Sequence, residues 1–415
     1  MIQFAVLGYG TVGSGVVGVF FRNRESLEKK AGVPLGLKYI LDVREFPDSP
    51  YKDLFVKDFD TILNDASVGV VAEVIGGVEP ALTFTKACLE RGKSVVTSNK
   101  ELVAQHGAEL LAIARANNVN YLFEASVGGG IPIIRPLHSC LAANRIEEVI
   151  GILNGTTNFI LTKMFREGMS FESALALAQR LGYAERDPAA DVEGHDACRK
   201  ICILASLAFG EHVYPHDVSA EGITKITSED VAYAASCGCV IKLIGAARRG
   251  EGGKRMTAYV APAFINRETQ LGTIDDVFNG ILVRGDATGD VVFYGKGAGK
   301  LPTASAVVSD MIACAKADGS SASMSWKPSQ GGNVAPQGDH VTAMYLRCRA
   351  FETNALEEAV KIFGKVKALS RPDKPTNEAA FITPALTERE IDDVCGKLAA
   401  AGVDILGKIR VLADQ

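Results

Sequence analysis

The run Gly8-Tyr9-Gly10-Thr11-Val12-Gly13 constrains this chain more than any other stretch, because of what flanks it. An apolar segment, Ile2–Leu7, precedes it and reads as a buried strand, while residues 11–30 read as a helix. In a strand that turns through G-x-G-x-x-G into a helix, each glycine has a task. Gly8 permits the tight turn, Gly10 lets a pyrophosphate approach the backbone, and Gly13 lets helix and strand pack closely. The helix N-terminus, with Thr11 and Val12 in its first turn, then points unpaired N–H groups at the phosphates. A glycine-rich turn without a ligand is the competing reading. The next strand ends at Asp42, which suits a ribose 2′-hydroxyl and NAD, whereas Arg44 suits the 2′-phosphate of NADP. A solvated ion pair at the strand end accounts for both residues equally well, so the choice between NAD and NADP stays open.

The alternation continues. Residues 37–41, 69–75, 94–97 and 120–127 read as strands, with helical stretches near 80–91 and 101–117 between them. Strand and helix in turn argue for a parallel sheet covered by helices, so residues 1–130 form an α/β, Rossmann-like, doubly wound nucleotide-binding domain. A helical stretch at 301–316 returns to complete it, within about 297–318. Residues 131–302 change character: helices near 157–167, 171–181 and 191–209 precede strands at 256–261 and 280–284, an α+β plan. Residues 319–338, rich in Gly, Ser, Pro and Gln, read as a linker. From 339 to 415 the order strand, helix, strand, strand, helix, strand is the ferredoxin-like plan.

Composition excludes several functions. With 44 basic and 49 acidic residues the net charge is −5, which leaves no surplus to neutralise nucleic-acid phosphates. No stretch is long and apolar enough to cross a bilayer. Residues 1–21 carry no charge, but they lack the basic start of a signal peptide and glycines interrupt them. Nine cysteines without CxxC spacing suggest neither a disulfide framework nor a zinc site, and a reducing cytoplasm fits them.

Charge concentrates in Gly182-Tyr-Ala-Glu185-Arg-Asp187-Pro-Ala-Ala-Asp191-Val-Glu-Gly-His-Asp196-Ala-Cys-Arg-Lys200. Asp196 and Lys200 are four apart on a predicted helix and so share a face. Residues 201–208 are almost wholly apolar, which buries that helix and places the pair near its entrance. Burial lowers the pKa of a lysine towards neutrality, as a proton donor and acceptor requires. A structural ion pair explains the same residues. The run Asn154-Gly-Thr-Thr-Asn158 caps a helix or offers hydroxyls to a ligand, and Gly128-Gly-Gly130 is a flexible turn or a set of carbonyls for a hard cation. The six scattered histidines do not form a metal cluster.

Together, GYGTVG, Val95-Val-Thr-Ser-Asn-Lys100, Phe123-Glu-Ala-Ser-Val-Gly-Gly-Gly-Ile-Pro132, Gly151-Ile-Leu-Asn-Gly-Thr-Thr-Asn158, the GYAE segment through Lys200 and Gly297-Ala-Gly-Lys-Leu-Pro-Thr303 closely resemble homoserine dehydrogenase over about residues 1–316. The resemblance implies reversible NAD(P)-dependent reduction of aspartate 4-semialdehyde to homoserine, on the way to threonine, methionine and isoleucine. It implies that Lys200 is the catalytic lysine, with Asp196 beside it, and that Glu185, Asp191 and Thr156 bind substrate. Lys100 and Gly299 correspond to cofactor-contacting positions. Glu124, Val127, Gly129 and Ile131 match a monovalent cation site, for sodium, built from main-chain carbonyls. Residues 131–302 become a substrate-binding and dimerisation domain, within a homodimer or homotetramer.

The tail from 339 resembles an ACT domain, the regulatory module that senses threonine in this family. It departs from the pattern at one place: the usual turn with proline and glycine is replaced by Phe351-Glu-Thr-Asn-Ala-Leu356. The expectation is a tail that binds threonine weakly or not at all and whose removal spares the dehydrogenase reaction.

Overall fold

Six short apolar runs assemble into one parallel sheet. In the computed structural model, which describes residues 1–250, 252, 255–316, 324 and 326–412, the first part of the chain alternates regularly. Its elements are β1 (Ile2–Leu7), α1 (Thr11–Ala31), β2 (Leu35–Leu41), β3 (Phe55–Val56), α2 (Phe59–Leu63), β4 (Val68–Glu73), α3 (Ala81–Glu90), β5 (Ser94–Thr97), α4 (Lys100–Ala116) and β6 (Tyr121–Leu122). The strand order is β3-β2-β1-β4-β5-β6, with every pair parallel. The order reverses between β1 and β4, which is where a doubly wound sheet opens a crevice at its carboxyl ends. Strand β6 is shorter than the predicted 120–127 because the chain leaves it for a 3-10 turn at Glu124–Ser126.

This sheet belongs to a compact unit formed by residues 1–145, 202–215 and 295–330. The helix Lys300–Lys316 lies within it and packs on α1 at Gly15, where a Cβ would sit 2.9 Å from the Lys300 carbonyl. The predicted linker is not one where it is described; 319–323 and 325 lie outside the described residues. Trp326 is buried against Phe123 and Gly107, and its indole N–H donates to His212 Nδ1 over 2.9 Å. Met324 is buried as well, and Lys327 exchanges backbone hydrogen bonds of 2.9 Å with Gly210 and His212, which pins the chain down.

A second unit comprises residues 146–201, 216–294 and 331–415. In chain order the elements from residue 146 are β7 (Ile146–Ile152), α5 (Gly155–Glu167), α6 (Phe171–Arg180), α7 (Ala189–Val192), α8 (His195–Phe209), β8 (Ser219–Ala220), α9 (Ser228–Ser236), β9 (Cys239–Arg248) and β10 (Thr257–Asn266). Then come β11 (Phe278–Gly285), β12 (Gly289–Lys296), α10 (the helix Lys300–Lys316), β13 (Val341–Ala350), α11 (Ala355–Phe363), β14 (Lys367–Leu369), β15 (Glu378–Ile382), β16 (Leu386–Thr387), α12 (Glu388–Ala400) and β17 (Val403–Val411). The mixed sheet runs β12-β11-β7-β9-β10-β17-β13-β15-β14.

Two expectations change here. The helix expected over 191–209 is two helices, α7 and α8, broken where Gly194 adopts φ +86°. The tail follows the predicted order of strands and helices, yet contacts do not divide the chain at 339. Strand β17 pairs with β10 (Ala263 with Arg410, Phe264 with Val411), and Tyr345 stacks on Phe264 at 4.5 Å. The buried Asp230 accepts from Arg347 at 2.9 Å and Tyr345 at 3.0 Å. The tail and residues 131–302 therefore share one sheet, and their charged groups neutralise one another in the buried interior.

Candidate active site

Helix α8 begins just after Gly194, which puts Asp196 in its first turn, where the helix dipole favours an acid. One turn later Lys200 Nζ donates to Asp196 Oδ2 at 2.7 Å and to the Leu153 carbonyl, at the end of β7, at 2.8 Å. Both residues are about 5% exposed (Asp196 5%, Lys200 6%), so the charges are held by each other and by backbone, away from water. The predicted pairing and its burial are both present.

Asn154 organises the acids around that pair. As N-cap of α5 its Oδ1 accepts from Thr157 N–H at 2.9 Å, which fixes its amide nitrogen as the outward donor. That nitrogen donates to Asp191 Oδ1 at 2.7 Å and Asp196 Oδ2 at 2.9 Å. Burial, with the Asp196 charge adding to it, pushes the Asp191 carboxyl above the usual range despite the Asn154 hydrogen bond. Thr156 donates its hydroxyl to the Tyr183 carbonyl at 2.7 Å, tying α5 to the GYAE turn. The structure thus gathers Lys200, Asp196, Asp191 and Thr156 around Asn154. Glu185 is exposed and, among the hydrogen bonds of the described residues, its carboxylate joins none of them. Sequence reasoning missed the bridging role of Asn154; only its capping role has a local signal.

The glycine loop has the geometry its motif requires. Gly8 adopts φ +96°, and a Cβ on Gly13 would lie 1.9 Å from the Gly8 carbonyl oxygen. A Cβ on Gly10 would meet nothing within 4 Å, so packing does not demand that glycine, while a closely approaching pyrophosphate does. Helix α1 carries no side-chain cap and no acid in its first turn, which leaves its N–H groups and positive end to a ligand; Thr11 and Val12 sit there.

Asp42 ties this loop to β2, accepting from Tyr9 N–H at 2.8 Å. It also takes the Arg44 side chain through Nε and Nη2, each at 3.0 Å, and the Arg44 N–H at 2.9 Å. The Arg44 guanidinium holds the Asp42 carboxyl down at about 2. The two candidate selectors therefore engage each other. Lys100 opens α4 behind its cap Asn99, whose amide donates to Gly77 at 2.6 Å, and Gly299, at φ +120°, precedes α10. Unpredicted Glu73, at the end of β4, accepts from Ile75 N–H at 2.8 Å and Thr97 at 2.7 Å and so shapes the loop facing Gly8.

The Glu124 carboxylate is consumed by protein, taking the N–H groups of Ile133, Ile134 and Arg135 at 2.6, 2.8 and 2.9 Å. Among the described residues, the carbonyls of the neighbouring buried Val127, Gly129 and Ile131 accept no hydrogen bond. Such a turn offers oxygens without protein donors, the chemistry that suits a hard cation. No group of three or more His, Cys, Asp or Glu suited to a metal occurs among the described residues.

Two family models match the chain: one described as homoserine dehydrogenase, NAD binding domain, over residues 8–124, and one as homoserine dehydrogenase over 132–312. Homoserine dehydrogenase of Synechocystis sp. is 44% identical over 316 residues, covering 75% of this chain and 72% of its own. That of Bacillus subtilis is 44% identical over 319 residues, covering 76% and 73%. The crystal structure of a homoserine dehydrogenase from Thiobacillus denitrificans superposes with a TM-score of 0.90 at 36% identity, covering 100% of this chain and 98% of its own. A hyperthermophilic archaeal homoserine dehydrogenase mutant in complex with NADPH gives a TM-score of 0.64 at 26% identity, covering 75% and 97%.

Proposed function

This chain belongs to the homoserine dehydrogenase family, and from that premise we propose that Lys200 is its proton donor and acceptor and Asp196 the acid that orients it. The enzyme is an NAD(P)-dependent oxidoreductase that interconverts aspartate 4-semialdehyde and homoserine. The single observation that supports the residue assignment is the hydrogen-bonded chain Lys200, Asp196, Asn154, Asp191, whose first three members are buried.

When bound, the nicotinamide gives or takes the hydride at the substrate carbon. In the reducing direction the aldehyde oxygen gains negative charge as that happens, and the Lys200 ammonium supplies its proton. In the oxidising direction the neutral amine takes the hydroxyl proton back. Asp196 accepts from Nζ and stabilises the charged form of the lysine, while Asn154 keeps the Asp196 carboxylate from turning away. Asp191 and Glu185 suit the substrate ammonium, with Thr156 beside them at the head of α5. Gly8, Gly10, Thr11, Val12 and Gly13 would hold the pyrophosphate, and Asp42, Arg44, Lys100 and Gly299 the rest of the cofactor. Both NAD and NADP suit an acid and an arginine at the same strand end; the NADPH bound by the archaeal relative supports the phosphorylated form. A sodium ion fits the carbonyls of Glu124, Val127, Gly129 and Ile131, and its charge would stiffen that turn.

The tail takes the part of an ACT-like module, and the family resemblance implies a homodimer or homotetramer. A reducing compartment such as the cytoplasm suits nine free thiols. Oxidation of NADH or NADPH by aspartate 4-semialdehyde, followed for the wild type and Lys200→Ala, tests the assignment; equal rates would overturn it.

A further inference from the structure

The turn that carries Asp191 towards Asp196 is held from one side by residues 221–223. Ile223 N–H donates to the Val192 carbonyl at 2.8 Å. A Cβ on Gly222 would lie 2.1 Å from that oxygen and 2.5 Å from Glu193 Cα, so only glycine permits this approach. Gly194 faces the same segment, its Cβ position 3.4 Å from the Glu221 carbonyl oxygen. Turn and segment therefore pack backbone against backbone.

Glu221 is in turn fixed by the far end of the chain. Its N–H donates to the Val260 carbonyl at 2.8 Å, and its carboxylate accepts from Arg410 Nη2 at 2.7 Å and Gln337 Nε2 at 2.9 Å. Arg410, on β17, is 4% exposed at its side chain and cannot relocate easily. It makes two bonds of 2.8 Å to the buried Glu388 and lies over the Tyr259 ring. Ser219 donates its hydroxyl to Gln337 Oε1 at 2.7 Å, closing the cluster.

We propose that Arg410 and Glu221 are positioning residues for substrate binding: the buried guanidinium fixes Glu221, and segment 221–223 holds the 192–194 turn where Asp191 meets Asn154. The proposal rests on the reading of Asp191 as a substrate-binding residue. The last strand of the tail thus forms part of the support of the substrate site, which a detachable module would not.

The test uses full-length enzyme and compares Glu221→Ala, Glu221→Gln, Arg410→Met, the Glu221→Ala/Arg410→Met pair and Asp191→Asn. In Glu221→Ala, KM for homoserine rises about two- to thirty-fold, the range for residues that act through neighbours, while KM for the cofactor stays nearly constant. Glu221→Gln, which keeps an acceptor for Arg410, recovers most of the loss. The double variant is no worse than Arg410→Met alone, because both changes cut one path. If Arg410→Met does not fold, the two Glu221 variants decide. An unchanged KM in Glu221→Ala, or equal shifts for homoserine and cofactor, overturns the proposal. Should Asp191→Asn also leave KM for homoserine unchanged, the reading of Asp191 falls with it; a raised KM in Asp191→Asn alone removes only the positioning role.

Discussion

Asn154 donates its side-chain amide to Asp196 Oδ2 over 2.9 Å, the same oxygen that receives Lys200 over 2.7 Å. Two donors on one oxygen leave the carboxylate little freedom to rotate, and the lysine inherits that order. Asn154→Ala removes one of them and a helix cap worth about 1 kcal/mol. The expected outcome is a kcat reduced by up to roughly a hundred-fold through misplacement of the lysine, at nearly constant KM for the cofactor. A melting curve measured alongside separates this from instability: a lower melting temperature with normal kcat would leave Asn154 as a cap only.

Asp191, which we propose pairs with the substrate ammonium, is expected to give the enzyme an acid limb. Its carboxyl is pushed above the ordinary range by burial first and by the Asp196 charge as well, so it takes up a proton at a pH where an exposed aspartate is still charged. Protonated, it no longer pairs with the substrate ammonium. KM for homoserine is therefore expected to rise as pH falls through that raised value, and Asp191→Asn to show a high KM without that limb. Glu185→Gln, at an exposed position outside the network, should raise the same KM by less. A limb that survives in Asp191→Asn would assign it to another group.

If Asp42 and Arg44 face the ribose 2′ position, as proposed, cofactor choice depends on a pair already formed. Arg44 neutralises Asp42, so a 2′-phosphate must draw Arg44 away, whereas a ribose hydroxyl needs only a carboxylate oxygen. Both cofactors are expected to work, and Arg44→Ala to raise KM for NADPH while leaving KM for NADH nearly unchanged. Equal losses for the two would place the arginine outside the 2′ site.

The parts legible in the sequence are those whose partners are close along the chain. GYGTVG could be read from its flanking strand and helix, and the Asp196 and Lys200 pair from its spacing of four and the apolar run behind it. The second role of Asn154 could not, because its carboxylate partners stand 37 and 42 residues away. Asp310, which accepts from Glu124 N–H across 186 residues and is pushed up to about 7 by burial, left no local trace. Strand β9 was hidden by Lys242 at its centre, a charge that reads as surface; in the fold its ammonium is buried against Asn158 at 3.0 Å and Asp275 at 3.2 Å. The linker failed on Met324, Trp326 and Val334, a few buried apolar side chains that outweigh their polar surroundings.

Two predictions concern the tail, one kept from the sequence and one reversed by the structure. Asn354 caps α11 by accepting from Leu356 N–H at 3.1 Å and Glu357 N–H at 3.4 Å, the donors an amino-acid carboxylate would need there. Threonine at millimolar concentration is therefore expected to inhibit weakly or not at all; strong inhibition would show that a ligand displaces that cap. Deletion of 339–415, by contrast, should abolish soluble activity, since it strips β17 from β10 and uncovers the Phe264 ring on which Tyr345 stacks. A truncated enzyme with normal kcat and melting would contradict this.

Lys200 is proposed to move the proton. The most direct measurement is kcat of Lys200→Ala for aspartate 4-semialdehyde reduction, taken with a fluorescence titration of NADPH binding that reports an intact fold. The glycine loop and Lys200 lie in separate compact units, so cofactor affinity is expected to hold. Turnover should fall by roughly a hundred- to ten-thousand-fold, the loss associated with a general acid. A variant that binds NADPH normally and turns over at close to the wild-type rate would contradict the account.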